Sequence, residues 1–232
     1  MKTRIIIGIA LAGLLVTPAA LAQDERTSTN EWRGTAPTKA LELSWGTGFS
    51  NAFGEVSKDG KSISDVANSG GALQLGLGYR LNPHLMLGAY GEGGFYRPDH
   101  GSIGDRRNFS AAAGVQAQWH FMPFSRWDPW LGLGSGWRGY WAVDDEAGTS
   151  TLHGVDVARV QVGVDYHMNR RLTLSPTVGV SVTEFVSQRD AVESSFHDVI
   201  DPRPTTFLFI GTTGRFDIGG KYIDPKQTMA SR

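Results

Sequence analysis

Between residues 71 and 96 the chain reads GALQLGLGYRLNPHLMLGAYGEGGFY, with apolar residues at every second position. In the first arm Leu73, Leu75, Leu77, Tyr79 and Leu81 oppose Ala72, Gln74, Gly76, Gly78 and Arg80. In the second, Leu85, Leu87, Ala89 and Phe95 oppose Met86, Gly88, Tyr90, Glu92 and Tyr96. Successive side chains of a strand point to opposite faces, so a period of two is a strand signature, and a helix would scatter these residues around its axis. Asn82-Pro83 supplies the turn between the arms. The result is a hairpin with one continuous greasy face and one small, polar, occasionally charged face.

Eight such runs follow one another: residues 39–50, the two arms of the hairpin, and residues 108–122, 129–143, 155–168, 171–185 and 204–217. Their connections alternate between long (51–68, 97–107, 144–154, 186–203) and short (at Asn82, at 123–128 and at Asn169-Arg170). Strict alternation implies an up-and-down antiparallel order with every long loop at one end. Runs of this length suit a tilted strand crossing a bilayer, which takes about 9–11 residues. Tyr79, Trp119, Trp127, Trp130, Trp141 and Tyr166 lie near run ends, where aromatic residues form girdles at membrane interfaces.

A water-soluble barrel also alternates, but its outer face carries Lys, Glu and Asp. Here the less apolar face is Gly, Ala, Ser, Thr and Gln, and the charges crowd into the long loops. An apolar exterior around a small polar interior is the membrane arrangement. With 40% hydrophobic and 19% charged residues the chain is globular rather than disordered. A net charge of −1 without a basic patch excludes nucleic acid as a partner.

Residues 1–22 have the parts of a secretory signal peptide: Lys2 and Arg4, an apolar stretch over 5–16, and Ala20-Leu21-Ala22 before the cleavage point. That stretch is short of the roughly 20 residues a membrane helix needs. Residues 23–38 read as an unstructured exported tail, 39–217 as the barrel, and 218–232 as a C-terminal tail. The chain has no cysteine, which excludes a lipoprotein anchor and thiol chemistry.

The segments ALQLGLGYRLNPHLMLGAYGEGGFY and QAQWHFMPFSRWDPWLGLGSGWRGY carry a likeness to known proteins. The chain resembles the small outer-membrane β-barrel family, the OmpA-like and OmpW-like eight-stranded proteins of Gram-negative envelopes, over nearly all of the expected mature chain. The resemblance implies an all-β, eight-stranded antiparallel up-and-down transmembrane barrel in the Gram-negative outer membrane. It implies contact with membrane lipid and lipopolysaccharide, and with the barrel-assembly machinery during biogenesis. Two departures stand out. No peptidoglycan-binding domain is expected after the barrel, and the last run stops short of the chain's final residue.

An eight-stranded barrel is just wide enough to be filled by side chains, so inward charges must find one another. Glu42, Arg80, Asp165 and Arg215 fall toward the short-turn end, and Glu92, Arg138 and Arg159 toward the long-loop end. Two buried networks are expected, read as a core plug in preference to a gate or proton path. Inward glycines would make room for Tyr90, Tyr140 and the arginines. No catalytic residue is assigned, although residues 194–198 (Ser-Ser-Phe-His-Asp), with His100 and His153 in other loops, have the residue types of lipid-modifying barrels. Six scattered histidines lack metal-ligand spacing, so no metal or cofactor is expected. Two functions remain: a non-catalytic envelope protein whose long loops meet extracellular surface ligands, or an OmpW-like narrow transporter for small hydrophobic molecules. A lateral opening would mark the second, and Pro176 within run seven is its one hint.

Overall fold

The computed structural model describes residues 34–58, 62–63, 69–97, 107–144, 148–192 and 195–224. The signal-peptide segment 1–22 and residues 23–33 of the expected tail lie outside the described residues. Eight long strands dominate: β1 (Ala40–Phe53), β2 (Ser69–Arg80), β3 (Leu85–Arg97), β4 (Arg107–His120), β5 (Trp127–Asp144), β6 (Gly148–His167), β7 (Leu172–Arg189) and β8 (Pro204–Ile218). Each pairs antiparallel with its neighbour in sequence, and β8 pairs with both β7 and β1, so the sheet closes. Closure leaves no barrel edge to template aggregation.

Following registered partners around the wall from Glu42 leads through Gly78, Gly88, Gln116, Gly134, Arg159, Ser181 and Phe207 back to Ala52, a stagger of ten residues on β1. Such a shear accompanies the tilt that lets strands close into a barrel. The outward side chains are apolar and bare, with Leu75 69% and Val115 68% exposed. The buried residues are mostly Ser, Thr, Gln, Asp, Glu and Arg in the lumen. This inversion of the water-soluble pattern follows directly from the sequence alternation.

Three features depart from the sequence reading. Residues 144–154 are mostly strand rather than loop, because β5 runs to Asp144 and β6 begins at Gly148. Likewise β7 continues to Arg189, and His197–Asp198 adds a short strand against Ser187 and Gln188. The tails are not simply unstructured: Ala36–Thr38 pairs antiparallel with Lys221–Ile223. Left-handed backbone at Lys39 (φ 54°) and at Gly219 and Gly220 (φ 69° and 77°) turns this ribbon away from β1 and β8. A side chain at position 220 would press on Ala40 and the Thr38 carbonyl. Ala36 is fully buried in the ribbon. Burial, then the nearby Asp217 carboxylate, pushes the Tyr222 hydroxyl up to about 12.

Candidate functional site

The lumen holds the chemically distinctive groups, and a β-bulge helps to assemble them. The β6–β7 register shifts between Asp156 and Ala158, so Asp156 and Arg159 both point inward although their positions differ in parity. In the layer toward the long loops, Arg138 (0% exposed) donates from Nε to Asp156 Oδ1 at 2.9 Å and from both terminal nitrogens to Glu92 Oε1 at 3.2 Å. Arg159 donates to Glu92 Oε2 at 2.8 Å, and Gln74 to the same oxygen at 2.9 Å. Arg159 also stacks over Tyr90 at 4.2 Å and Arg138 over Phe207 at 4.2 Å. The Tyr90 ring lies against Gly114 and Gly136, where an added Cβ would come within 2.8 Å of it.

The second layer sits at the short-turn end. Arg80 pairs with Glu42, and its Nε lies 3.9 Å from Asp217. Arg215 pairs with Asp165, and its Nε lies 3.6 Å from Glu42. The His120 ring Nδ1 lies 2.8 Å from Asp128 Oδ2 and 3.7 Å from Asp165 Oδ2. The fold thus brings Glu42, Arg80, Asp165 and Arg215 together, and separately Glu92, Arg138 and Arg159. Sequence reasoning missed Asp156, Asp217, Asp128 and His120. Parity alone flags the last three, since Asp217 shares the parity of Arg215, Asp128 that of Arg138, and His120 closes an inward row. Asp156 has no such signal, because the bulge reverses its face.

Trp130 is a correction. Its place near a run end predicts an interfacial girdle, yet it is 3% exposed in the lumen, donates its indole N–H to Ser175 Oγ at 2.9 Å, and stacks under Arg215 at 4.1 Å. Its neighbours Trp127 and Leu131 point outward, so its even parity decides its face. Tyr79, Trp119 and Trp127 are exposed beside the short turns, where Trp127 also touches Tyr166 (ring centroids 4.7 Å apart). Trp141 lies at the other end, stacked with Phe109 at 5.2 Å.

Between the layers lies a cavity of about 20 Å³, room for about one water. Beyond the Glu92 layer an apolar cluster including Val56, Ile63, Tyr140, Phe185, Val199 and Phe207 fills the mouth. The segments after β1 and before β8, neighbours on the wall, are tied to each other beside it. The Lys58 N–H donates to the Asp201 carbonyl, the Arg203 N–H donates to the Val56 carbonyl at 3.1 Å, and the Arg203 side chain donates to Glu55 at 2.7 Å.

At Pro176 the β6–β7 ladder is interrupted: registered pairs pass from Gly163↔Thr177 to Tyr166↔Leu174 without a register shift. Pro176 stays paired with Thr212 of β8 and points outward. The lumen behind it holds Ser175, Trp130, Asp165 and Arg215. Of the loop residues with catalytic types, Ser194 and His100 lie outside the described residues. The His197 Nε2 contacts the Gln188 amide at 2.8 Å, and His153 stacks on Trp137 at 5.3 Å.

No family model matches the chain, and no curated protein matches it. Among solved structures, it is similar to Neisserial surface protein A, at 15% identity and a TM-score of 0.51 over 76% of this chain and 96% of that one. It is also similar to the outer membrane protein OprG of Pseudomonas aeruginosa, at 14% identity and a TM-score of 0.46 over 79% and 98%. The chain therefore has the fold of the small outer-membrane β-barrels, an eight-stranded antiparallel barrel whose lumen is packed with side chains.

Proposed function

We propose that the chain is a non-catalytic outer-membrane barrel of a Gram-negative envelope, with a sealed lumen that serves as structural core and long loops that meet external ligands. The observation that carries this reading is the filled interior: two ion-pair layers with about 20 Å³ between them, under an apolar cap. A solute path would have to break buried ion pairs, each break leaving charge uncompensated in a desolvated space. The apolar exterior supports contact with lipid and lipopolysaccharide, and the fold supports delivery by the barrel-assembly machinery after export through a cleaved signal peptide. Loops held on a rigid scaffold are where binding residues concentrate.

A second reading, the narrow transporter for small hydrophobic molecules, draws on the ladder interruption at Pro176. Proteoliposomes separate the two. A sealed barrel admits neither small sugars in swelling assays nor hydrophobic solutes above the protein-free rate. Hydrophobic uptake that is lost when Pro176→Val restores the ladder would establish the transporter in its place.

A further inference from the structure

The two ion-pair layers differ in charge balance. In the upper one Glu92 and Asp156 face Arg138 and Arg159, and the charges cancel. In the lower one four carboxylates, Glu42, Asp128, Asp165 and Asp217, face two guanidinium groups, Arg80 and Arg215. The ion pairs of these carboxylates run to those arginines and to His120, and His167 is a second buried imidazole at this end. With both imidazoles neutral, the lower layer is two positive charges short. All four carboxylates are buried, where uncompensated charge is costly, so the shortfall marks a place where positive charge is held.

The shortfall centres on His120, Asp128 and Asp165, whose ligand atoms all lie within 4.8 Å of one another. His120 Nδ1 faces two carboxylate oxygens, and one proton on that nitrogen serves Asp128 at 2.8 Å but not Asp165 at 3.7 Å, whose oxygens both take Arg215 Nη1 instead. Glu42 Oε1, Asp217 Oδ1 and His120 Nε2 are buried without a hydrogen-bond partner. Three donors of the same layer, Arg80 Nε, Arg215 Nε and Arg215 Nη2, are also without a hydrogen-bond partner, so the deficit is one of charge rather than of hydrogens.

We propose that this cluster binds one divalent cation of the zinc class through His120 Nδ1, Asp128 Oδ2 and Asp165 Oδ2. A charge of +2 equals the deficit. Ligand atoms about 2.0–2.1 Å from zinc stand roughly 3.3 Å apart in a tetrahedron. The observed 2.8 and 3.7 Å separations straddle that value. Two of the three ligands, Asp128 and Asp165, have the outer-shell partners that orient metal ligands, while His120 Nε2 has none. Asp128 Oδ1 accepts the Met122 N–H at 2.8 Å, which turns Oδ2 toward the ring, and Arg215 holds Asp165 while stacked on Trp130. An imidazole among carboxylates selects zinc-class ions over calcium and magnesium, which take oxygen ligands. His120 ends β4, Asp128 lies at the start of β5 and Asp165 near the end of β6, so one ion staples three strands at the short-turn end.

The test uses the full chain folded in detergent, stripped with chelator, titrated with zinc chloride and desalted before elemental analysis. The expected result is one zinc per chain and a raised melting temperature. Asp128→Asn and His120→Gln are expected to weaken binding at least 10-fold, and Glu55→Gln on the exposed loop to leave it unchanged. Cobalt chloride in place of zinc should give visible absorption bands from the wild type, a readout that stands even if a variant fails to fold. Substoichiometric zinc in the folded wild type overturns the proposal, as do uptake unchanged in both variants and a folded chain that meets the deficit by binding two protons instead.

Discussion

Removing Glu92 should cost more than removing Arg159, one of the two arginines it serves. Its carboxylate takes bonds from Arg138, Arg159 and Gln74. Arg138 keeps Asp156 when Glu92 is gone, but Glu92 is the only carboxylate ion-paired with Arg159 among the described residues. Glu92→Ala therefore strands a buried guanidinium with only the Tyr90 ring beside it, and breaking a buried pair from one side costs about 3–5 kcal/mol. Arg159→Met leaves Glu92 still paired with Arg138, so its cost should fall well below that range. The double variant should cost less than the two singles summed, by roughly 1–3 kcal/mol for residues in one network. Reversible urea unfolding of barrels refolded in lipid vesicles, followed by tryptophan fluorescence, gives all four corners of the cycle. Additive singles, or Glu92→Ala no costlier than Arg159→Met, would refute the pairing.

Leu75→Arg places a charge on the bare apolar face and should cost about 2–4 kcal/mol near the bilayer midplane in the same unfolding assay, and a neutral result would mean that this face does not meet lipid. The Tyr222 hydroxyl, raised to about 12, keeps its proton between pH 10 and 12 while an unfolded tyrosine releases its own. Its contribution to ribbon stability is therefore complete below pH 10 and lost as pH rises toward 12. The protection of the Ala36 and Thr38 amides relative to the intrinsic base-catalysed exchange rate should fall over that window, and Tyr222→Phe should abolish the fall. With the proposed orientation, long loops outward, trypsin applied to intact cells is expected to cut within residues 97–107 and to spare Arg126; cleavage at Arg126 would reverse the topology.

How much of this was readable from residues alone depends on whether two-residue parity held. It held along most of every strand, so the barrel, its order and the placing of Glu42, Arg80, Asp165 and Arg215 in one layer and of Glu92, Arg138 and Arg159 in the other followed from alternation. It failed where backbone geometry intervened. The bulge between Asp156 and Ala158 turns an apparently outward aspartate into the partner of Arg138. Trp130 was misplaced because proximity to a run end outweighed its parity, which pointed inward all along. The ribbon of Ala36–Thr38 and Lys221–Ile223 joins segments too short and too far apart in sequence to carry a periodic signal. His120, Asp128 and Asp165 meet only because β4, β5 and β6 end at one level, and that spacing resembles no linear metal motif.

The central claim is that the lumen is closed by its own side chains, and single-channel recording of the wild-type chain in planar bilayers tests it most directly. The account predicts a baseline indistinguishable from protein-free membrane at both polarities, with brief irregular openings appearing only when Glu92→Ala unbalances the upper layer. Stable, discrete openings of the wild type would contradict it.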